Sequence, residues 1–388
     1  MANQLSSHLY DLIYSLSSSE RRYFKLYIKN HLGKQNELSV KLFDLIVKNE
    51  GKPINKIEEE ITFTQHISRL KNYLNDLILK SLEAYHSKTS ATIKIRKLIT
   101  QIEILYNKAH YHQCVSLAKK TLKEIEKIDN QNFKLDVIDW YINALSQTES
   151  KNIKITKEKL ITLQQETLSK LKLEKEYKKL NSTMFDLAKK LGTLRSVENE
   201  SMFKEIMDNP FLSDYSIATS FSSRSNYNNI YSIYYTYLGD KKKASYHNKQ
   251  NLLLFEDYPA RKKSNQYNYI TQLNNYAVSC AALREYEKAD YYYSKIEKIV
   301  PNNIQIEVKI FEYTTANKLD LYLSSGELKK ALLLVSKTES NLKTYGKRVS
   351  ALFKTVIYVN LCYLYFVTNN HKKALAYNNL ILNNKSVS

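Results

Sequence analysis

The stretch LREYEKADYYYSKIEKIVP, Leu283–Pro301, decides the fold of this 388-residue chain. A polar turn leads into Tyr286, the small residue Ala289, the aromatic Tyr293 and a closing Pro301. With Ala289 as anchor, the same offsets recur in Gly239-Asp240-Lys241-Lys242-Lys243-Ala244, in Gly326-Glu327-Leu328-Lys329-Lys330-Ala331 and in Asn369-Asn370-His371-Lys372-Lys373-Ala374. The anchors step by 45, 42 and 43 residues, and Pro259 to Pro301 independently gives 42. Upstream, Ala109-His110-Tyr111-His112-Gln113-Cys114 has the same shape, and Cys114 precedes Ala244 by 130 residues, three such periods. Where two antiparallel helices cross closely, a side chain larger than Ala, Ser or Cys forces them apart. A period near 43 therefore predicts a series of helical hairpins, each crossing at one small residue.

The order of turn, Tyr286, Ala289, Tyr293 and Pro301 resembles the second helix of a tetratricopeptide repeat. The resemblance implies an all-α chain in which an N-terminal helical module, residues 1–90, precedes an α-solenoid of paired helices over residues 91–388. The family's usual repeat is 34 residues, so helices longer by about a turn each are expected here. The large consensus residue at the start of the first helix is absent. Two degenerate pairs should lie between Cys114 and Ala244, with candidate helices Phe133–Gln147, Lys157–Leu171, Glu176–Leu191 and Ser196–Asp208, and Gly192 and Pro210 as punctuation. The resemblance further implies a concave groove lined by the first helix of each pair. Its positions map onto Asn229, Ile233, Tyr237, Asn274, Val278, Tyr313, Asp320, Tyr363 and Phe366. Asn229 and Asn274 are similar to the asparagines with which peptide-binding members hold a ligand backbone. The lysines and arginines of members that clamp a terminal carboxylate are not found on the matching helices.

Composition agrees with a helical chain. Six glycines and four prolines in 388 residues fall far below the roughly 12% of an average protein, and tight turns, bulges and phosphate cradles depend on these two residues. The glycines are never closer than eighteen residues, which excludes a dinucleotide fingerprint and a P-loop. Met1 to Leu16 contains Asp11 and lacks a basic head before an unbroken apolar run, so a cytoplasmic protein without a secretory signal is the expectation. The most apolar stretch, Thr355–Val367 (TVIYVNLCYLYFV), is interrupted by Asn360 and too short to span a bilayer of about 30 Å; it reads as a buried helix. Cys114, Cys280 and Cys362 are too few and too scattered for a disulfide framework or a metal pair, and each falls at a small position of a helix pair.

The first ninety residues read as a separate module. Ser17-Ser18-Ser19-Glu20 has the spacing of a capping box, so a helix should run from about Ser19 to His31, ended by Gly33. Further helices are expected over Leu38–Lys48 and Thr64–His86, the latter with Ile67, Leu70, Leu74, Leu77 and Ile78 at three- and four-residue steps. Arg21, Lys25 and Lys29 share one helix face. With Lys241, Lys242 and Lys243, and with Arg261, Lys262 and Lys263, they form the best basic patches of a chain whose formal charge is +20. A polyanion would be attracted by that charge. Only nine of the 59 basic residues are arginine, whereas bidentate recognition of phosphates and bases favours arginine, so solvation is the competing reading.

No constellation predicts catalysis or a cofactor. His110 and Cys114 share a helix face, but no second cluster of metal ligands lies nearby in sequence. Neither a Gly-x-Ser-x-Gly elbow nor a His-Glu-x-x-His helix occurs. The 32 tyrosines suit helix-pair cores and binding surfaces alike. The function expected is a non-enzymatic scaffold that holds a protein or peptide segment. The rivals are a nucleic-acid-binding protein, through RNA or through the N-terminal helices on DNA, and an obligate subunit of a larger assembly.

Overall fold

The computed structural model describes residues 2–31, 36–148, 156–192, 197–346 and 348–383. Gly33, expected to end a helix, lies outside them. Among the described residues there are nineteen α-helices, two single-turn 3-10 segments and no strand. The fold is all-α, and it divides into two compact units.

The first unit comprises Met1–Leu98, joined by Asn302–Gln305. It holds α1 (Ala2–Ser15), α2 (Ser18–His31), α3 (Glu37–Lys48), α4 (Ile54–Glu59) and α5 (Ile67–Thr89). The capping box forms: the Ser17 amide and hydroxyl both donate to Glu20 Oε2 at 2.8 Å, and the Glu20 amide donates back to Ser17 Oγ. The other carboxylate oxygen of Glu20 meets His86 Nε2 at 2.8 Å, which ties the start of α2 to the end of α5. Tyr10, Ile13, Phe24, Leu42, Phe43 and Ile78 are fully or almost fully buried in its core. Helices α1 and α4 carry part of that core and had no sequence expectation.

The second unit comprises Ile99–Pro301 and Ile306–Ser388. After α6 (Ala91–Asn107), which crosses the boundary between the units, come α7 (Tyr111–Glu126), α8 (Gln131–Ser146), α9 (Lys157–Leu191) and α10 (Val197–Met207). Then follow α11 (Phe221–Leu238), α12 (Lys241–Glu256), the short α13 (Pro259–Ser264), α14 (Gln266–Ala282) and α15 (Tyr286–Glu297). The chain continues with α16 (Ile304–Ser324), α17 (Leu328–Tyr345), α18 (Ala351–Val367) and α19 (His371–Leu382). Packing is between neighbours in sequence: α7 on α8, α8 on α9, α9 on α11, α11 on α12, α12 on α14, α14 on α15, and α17 on α18 on α19.

One turn geometry recurs at all five anchor sites. Ala109, Gly239, Arg284, Gly326 and Asn369 stand in the left-handed region, with φ between 58° and 78°. The amide that follows each of them reaches back five residues, from His110 to Leu105, Asp240 to Tyr235, Glu285 to Cys280, Glu327 to Tyr322 and Asn370 to Tyr365, at 2.8–2.9 Å. This is the closing bond of a Schellman motif, and it satisfies carbonyls that the helix end would otherwise leave open. The next helix starts at once, and Cys114, Ala244, Ala289, Ala331 and Ala374 are all buried one turn into it. A lysine precedes four of these anchors. Lys243, Lys288, Lys330 and Lys373 lie over the rings of Tyr235, Tyr276, Tyr322 and Tyr365 at 4.8–5.7 Å. Three of them also pair with the acid that begins their helix, Asp240, Glu285 or Glu327.

Two expectations are corrected. Lys157–Leu171 and Glu176–Leu191 are not separate helices but the single 35-residue α9, because Leu171-Lys172-Leu173-Glu174-Lys175 consists of good helix formers with no capping residue, glycine or proline to stop the helix. The segment Thr355–Val367 is not buried all round. In α18, Ile357, Leu361 and Leu364 face the core, while Tyr363 and Phe366 are 54% and 60% exposed. Among the described residues no helix is long and apolar enough to cross a membrane.

Candidate functional site

A cavity of about 440 Å³ opens between α9, α11, α12, α13 and α14. Its frame follows from local sequence. Ser220 caps α11 reciprocally with Ser223, and Asp129 Oδ2 accepts a hydrogen bond of 2.7 Å from the Phe221 amide. Pro259 opens α13, where its fixed φ fits and its missing N–H costs nothing. This short helix lays the Arg261 guanidinium over the Phe221 ring at 3.9 Å, and Phe221 meets Phe255 edge-on at 4.9 Å.

The wall is rich in carboxamides and hydroxyls. Helix α9 contributes Asn181; α11 contributes Ser222, Ser225, Asn226 and Asn229; α14 contributes Asn268, Gln272 and Asn275. Some of the surrounding amides are engaged. Asn251 donates to Asn229 Oδ1 at 2.7 Å, and Asn248 accepts from Ser232 and donates to Ser279, both at 2.8 Å. Others are open. The buried oxygens of Asn181, Asn251 and Gln272 have no hydrogen-bond partner among the described residues, and Gln272 is only 6% exposed. A buried amide left in this state costs about 1–3 kcal/mol.

The charge of the cavity is set by Arg261. Burial pulls its guanidinium below the ordinary value, partly opposed by the more distant Asp129 and Glu174. Burial also pushes the Glu174 carboxyl upward, against the hydrogen bond from Ser220. Among the described residues no carboxylate pairs with Arg261, and the cavity wall includes no acidic side chain. A second cavity of about 500 Å³ shares Phe185, Ser232 and Ile233 with the first and continues along the C-terminal ends of α9 and α11, past Ala188, Thr236 and Tyr237. It is the apolar continuation of a polar groove.

Of the residues expected along the groove, Asn229, Ile233 and Tyr237 are brought together here. Asn274 points elsewhere and is buried, its Oδ1 accepting from Asn317 Nδ2 at 2.6 Å. Tyr313 is buried against Phe353, with Lys309 Nζ 4.1 Å from its ring centre. Val278, Asp320, Tyr363 and Phe366 are exposed on their helices and line no cavity described here. Asn181, Asn226 and Gln272 had no individual expectation. The available signal was the density of asparagine in 226–229 and 265–275.

The basic residues do not act as one surface. Arg21 reaches Glu50 at 3.0 Å and the Leu16 carbonyl at 3.1 Å, and Lys25 pairs with Asp44 at 2.7 Å. Lys29 is exposed beside Ile28 and Val40. Lys262 pairs with Glu256 at 2.7 Å and covers Tyr269, while Lys241, Lys242 and Lys263 are exposed and Lys243 covers Tyr235. Cys114 and Cys280 are buried, and burial pushes the Cys280 thiol up to about 11. Among the described residues no group of three or more His, Cys, Asp or Glu is placed to hold a metal ion.

No known protein-family model matches this chain, and no curated protein is significantly similar to it.

Proposed function

We propose that the chain is a non-enzymatic helical-repeat scaffold, an α-solenoid of tetratricopeptide-like hairpins, that holds a protein or peptide segment in the groove formed by α9, α11 and α14. The observation that carries this reading is a carboxamide-rich cavity wall in which the buried oxygens of Asn181 and Gln272 have no partner among the described residues. An extended peptide offers one N–H and one C=O at every residue, and a side-chain amide answers both in one plane. A row of such amides on adjacent helices is sequence-tolerant toward the ligand but demands a free main chain. The repeated turn supports the solenoid half of the proposal, since identical joints stack successive hairpins in the same way.

The test is selection from a displayed library of random heptapeptides. Binders are expected, and Asn226→Ala combined with Gln272→Leu should weaken them about tenfold or more, the worth of one or two hydrogen bonds to a buried amide. If no peptide is retained by the folded protein, the reading fails. If a single-stranded RNA binds instead, with affinity falling steeply as salt rises, the nucleic-acid reading replaces it.

A further inference from the structure

We infer that the segment held in this groove is acidic at one end and apolar at the other: a carboxylate seated on Arg261 and a large apolar side chain seated on Phe185, Ile233 and Tyr237. The inference rests on the peptide reading above and adds composition and orientation to it.

The polar end follows from three features that converge. No carboxylate comes within ion-pair distance of Arg261 among the described residues, Asp129 and Glu174 acting on it only from farther off, and its guanidinium lies over Phe221 at 3.9 Å. A guanidinium held by stacking keeps its edge donors for a planar acceptor and loses little entropy on binding one. The first turns of α11 and α14, at Ser222 and at Asn268, line the same end of the cavity. Helix N-termini favour negative charge and add their partial positive charge to that of Arg261. The wall there carries no acidic side chain, while the unpartnered Gln272 supplies amide hydrogens and an open oxygen for the neighbouring main chain.

The apolar end lies along the same two helices. Phe185 is 59% exposed and its ring lines both cavities, so it is open to contact by a ligand. Ile233 and, one turn further along α11, the largely buried Tyr237 line the same cavity as Phe185, where the C-terminal ends of α9 and α11 meet. The exposed Lys189 stands on the same wall, so the apolar anchor is assigned here from Phe185 and Ile233 and not from charge. From Phe221 to Tyr237 a helix advances about 24 Å, the reach of about seven residues of extended chain. The ligand is therefore a heptapeptide-sized stretch with its two anchors at opposite ends.

The carboxylate could be supplied by an acidic side chain or by a chain terminus, and peptides separate the two. The probes are heptapeptides built on a Ser/Ala spacer and blocked at both ends, one with Glu first and Leu last and one with the order reversed. Matched peptides carry Gln for Glu, and a further one carries Leu and a free C-terminal carboxylate but no Glu. Fluorescence anisotropy at fixed salt should show one of the Glu peptides binding at least tenfold more tightly than its Gln partner. Arg261→Gln should erase that ratio, and an unchanged circular dichroism spectrum and urea midpoint establish that the variant is folded. Phe185→Ser should weaken Glu and Gln peptides alike. Preference for the Glu-free peptide with the free C-terminus identifies the chain end as the source, and Arg261→Gln should remove that preference as well. Peptides that bind equally with and without a carboxylate, in a manner still sensitive to Gln272→Leu, overturn the acidic anchor and leave the peptide groove standing. Absence of binding by every probe and by the random library overturns both.

Discussion

Asparagines occupy matching places in two neighbouring parts of the second unit, and in one of them several buried amide oxygens nearby stay without a partner among the described residues. Asn317 on α16 donates to Asn274 on α14, and Asn360 on α18 donates to the Ala316 carbonyl at 2.9 Å. In that half the amides join helices 43 or 44 residues apart in sequence, and they are spent on the fold. Between α9 and α14 the same residue type is left with open valences around a cavity. Identical joints frame both parts, so the difference is in what the side chains find across the gap. The α9–α14 region retains buried amide oxygens that cost stability unless something meets them, which is what the proposed peptide would do.

The largest expected effect tests the shared frame. Ala289→Leu places an isobutyl group where α14 and α15 cross, and overpacking of this kind costs about 3 kcal/mol. Urea unfolding should show that loss, and peptide affinity should fall with it because α14 carries one wall of the cavity. A variant as stable as the parent would mean that α14 and α15 have room to separate.

The second prediction separates the two regions directly. Asn317→Ala strands the buried Asn274 amide and should cost about 2 kcal/mol, whereas Gln272→Leu removes an amide that has no partner and should be neutral or stabilising by about 1 kcal/mol. Binding should respond in the opposite sense, falling in Gln272→Leu and holding in Asn317→Ala. Equal stability losses in both variants would remove the distinction on which the site rests.

A third prediction concerns the other face of α11. His247 lies stacked against Tyr231 and Tyr235 at 5.0 and 5.8 Å and bonded to Asn228 at 3.0 Å, and burial lowers its pKa from 6.5 to about 4. Below pH 6.5 the unfolded chain takes up a proton that the folded ring refuses until about pH 4. The stability present above pH 6.5 is therefore lost as the pH falls through that window. The loss should be about 2 kcal/mol, less than the full shift implies because the ring is only partly enclosed. His247→Gln should flatten this part of the stability profile, and its persistence would assign the acid sensitivity to other groups.

The joints were legible in the sequence because each is determined within six residues. A small residue, a polar turn and a lysine before the anchor read the same way wherever they occur, and Cys114 could be aligned with Ala289 across 175 residues. The continuity of α9 was harder to read, since a charged stretch such as Lys172–Glu176 suits a helix interior and a linker equally. The cavity was harder still. Nothing in the sequence around Asn274 and Gln272, two residues apart on α14, says that one meets Asn317 and the other meets nothing; that is settled by residues on helices contributed from far along the chain. Arg261 posed the same problem. In sequence it belongs to a basic cluster with Lys262 and Lys263, and only the short α13 lays it over Phe221.

The smallest effects lie in the turns themselves. Arg284 and Gly326 hold equivalent left-handed positions, with φ of 61° and 77°, and this backbone conformation strains any residue with a Cβ by about 1 kcal/mol. Gly326 has open space where a Cβ would project, so Gly326→Ala meets no steric obstacle and should lose about 1 kcal/mol through the backbone alone. Arg284→Gly should gain about 0.5 kcal/mol, the relief of strain being partly offset by the greater freedom of glycine in the unfolded chain. Because both joints lie outside the cavity, peptide affinity should be unchanged in either variant. A joint that tolerated alanine without loss would be flexible enough to adopt another conformation. The rigidity of the frame shared by the closed and the open region would then rest on the buried anchors alone.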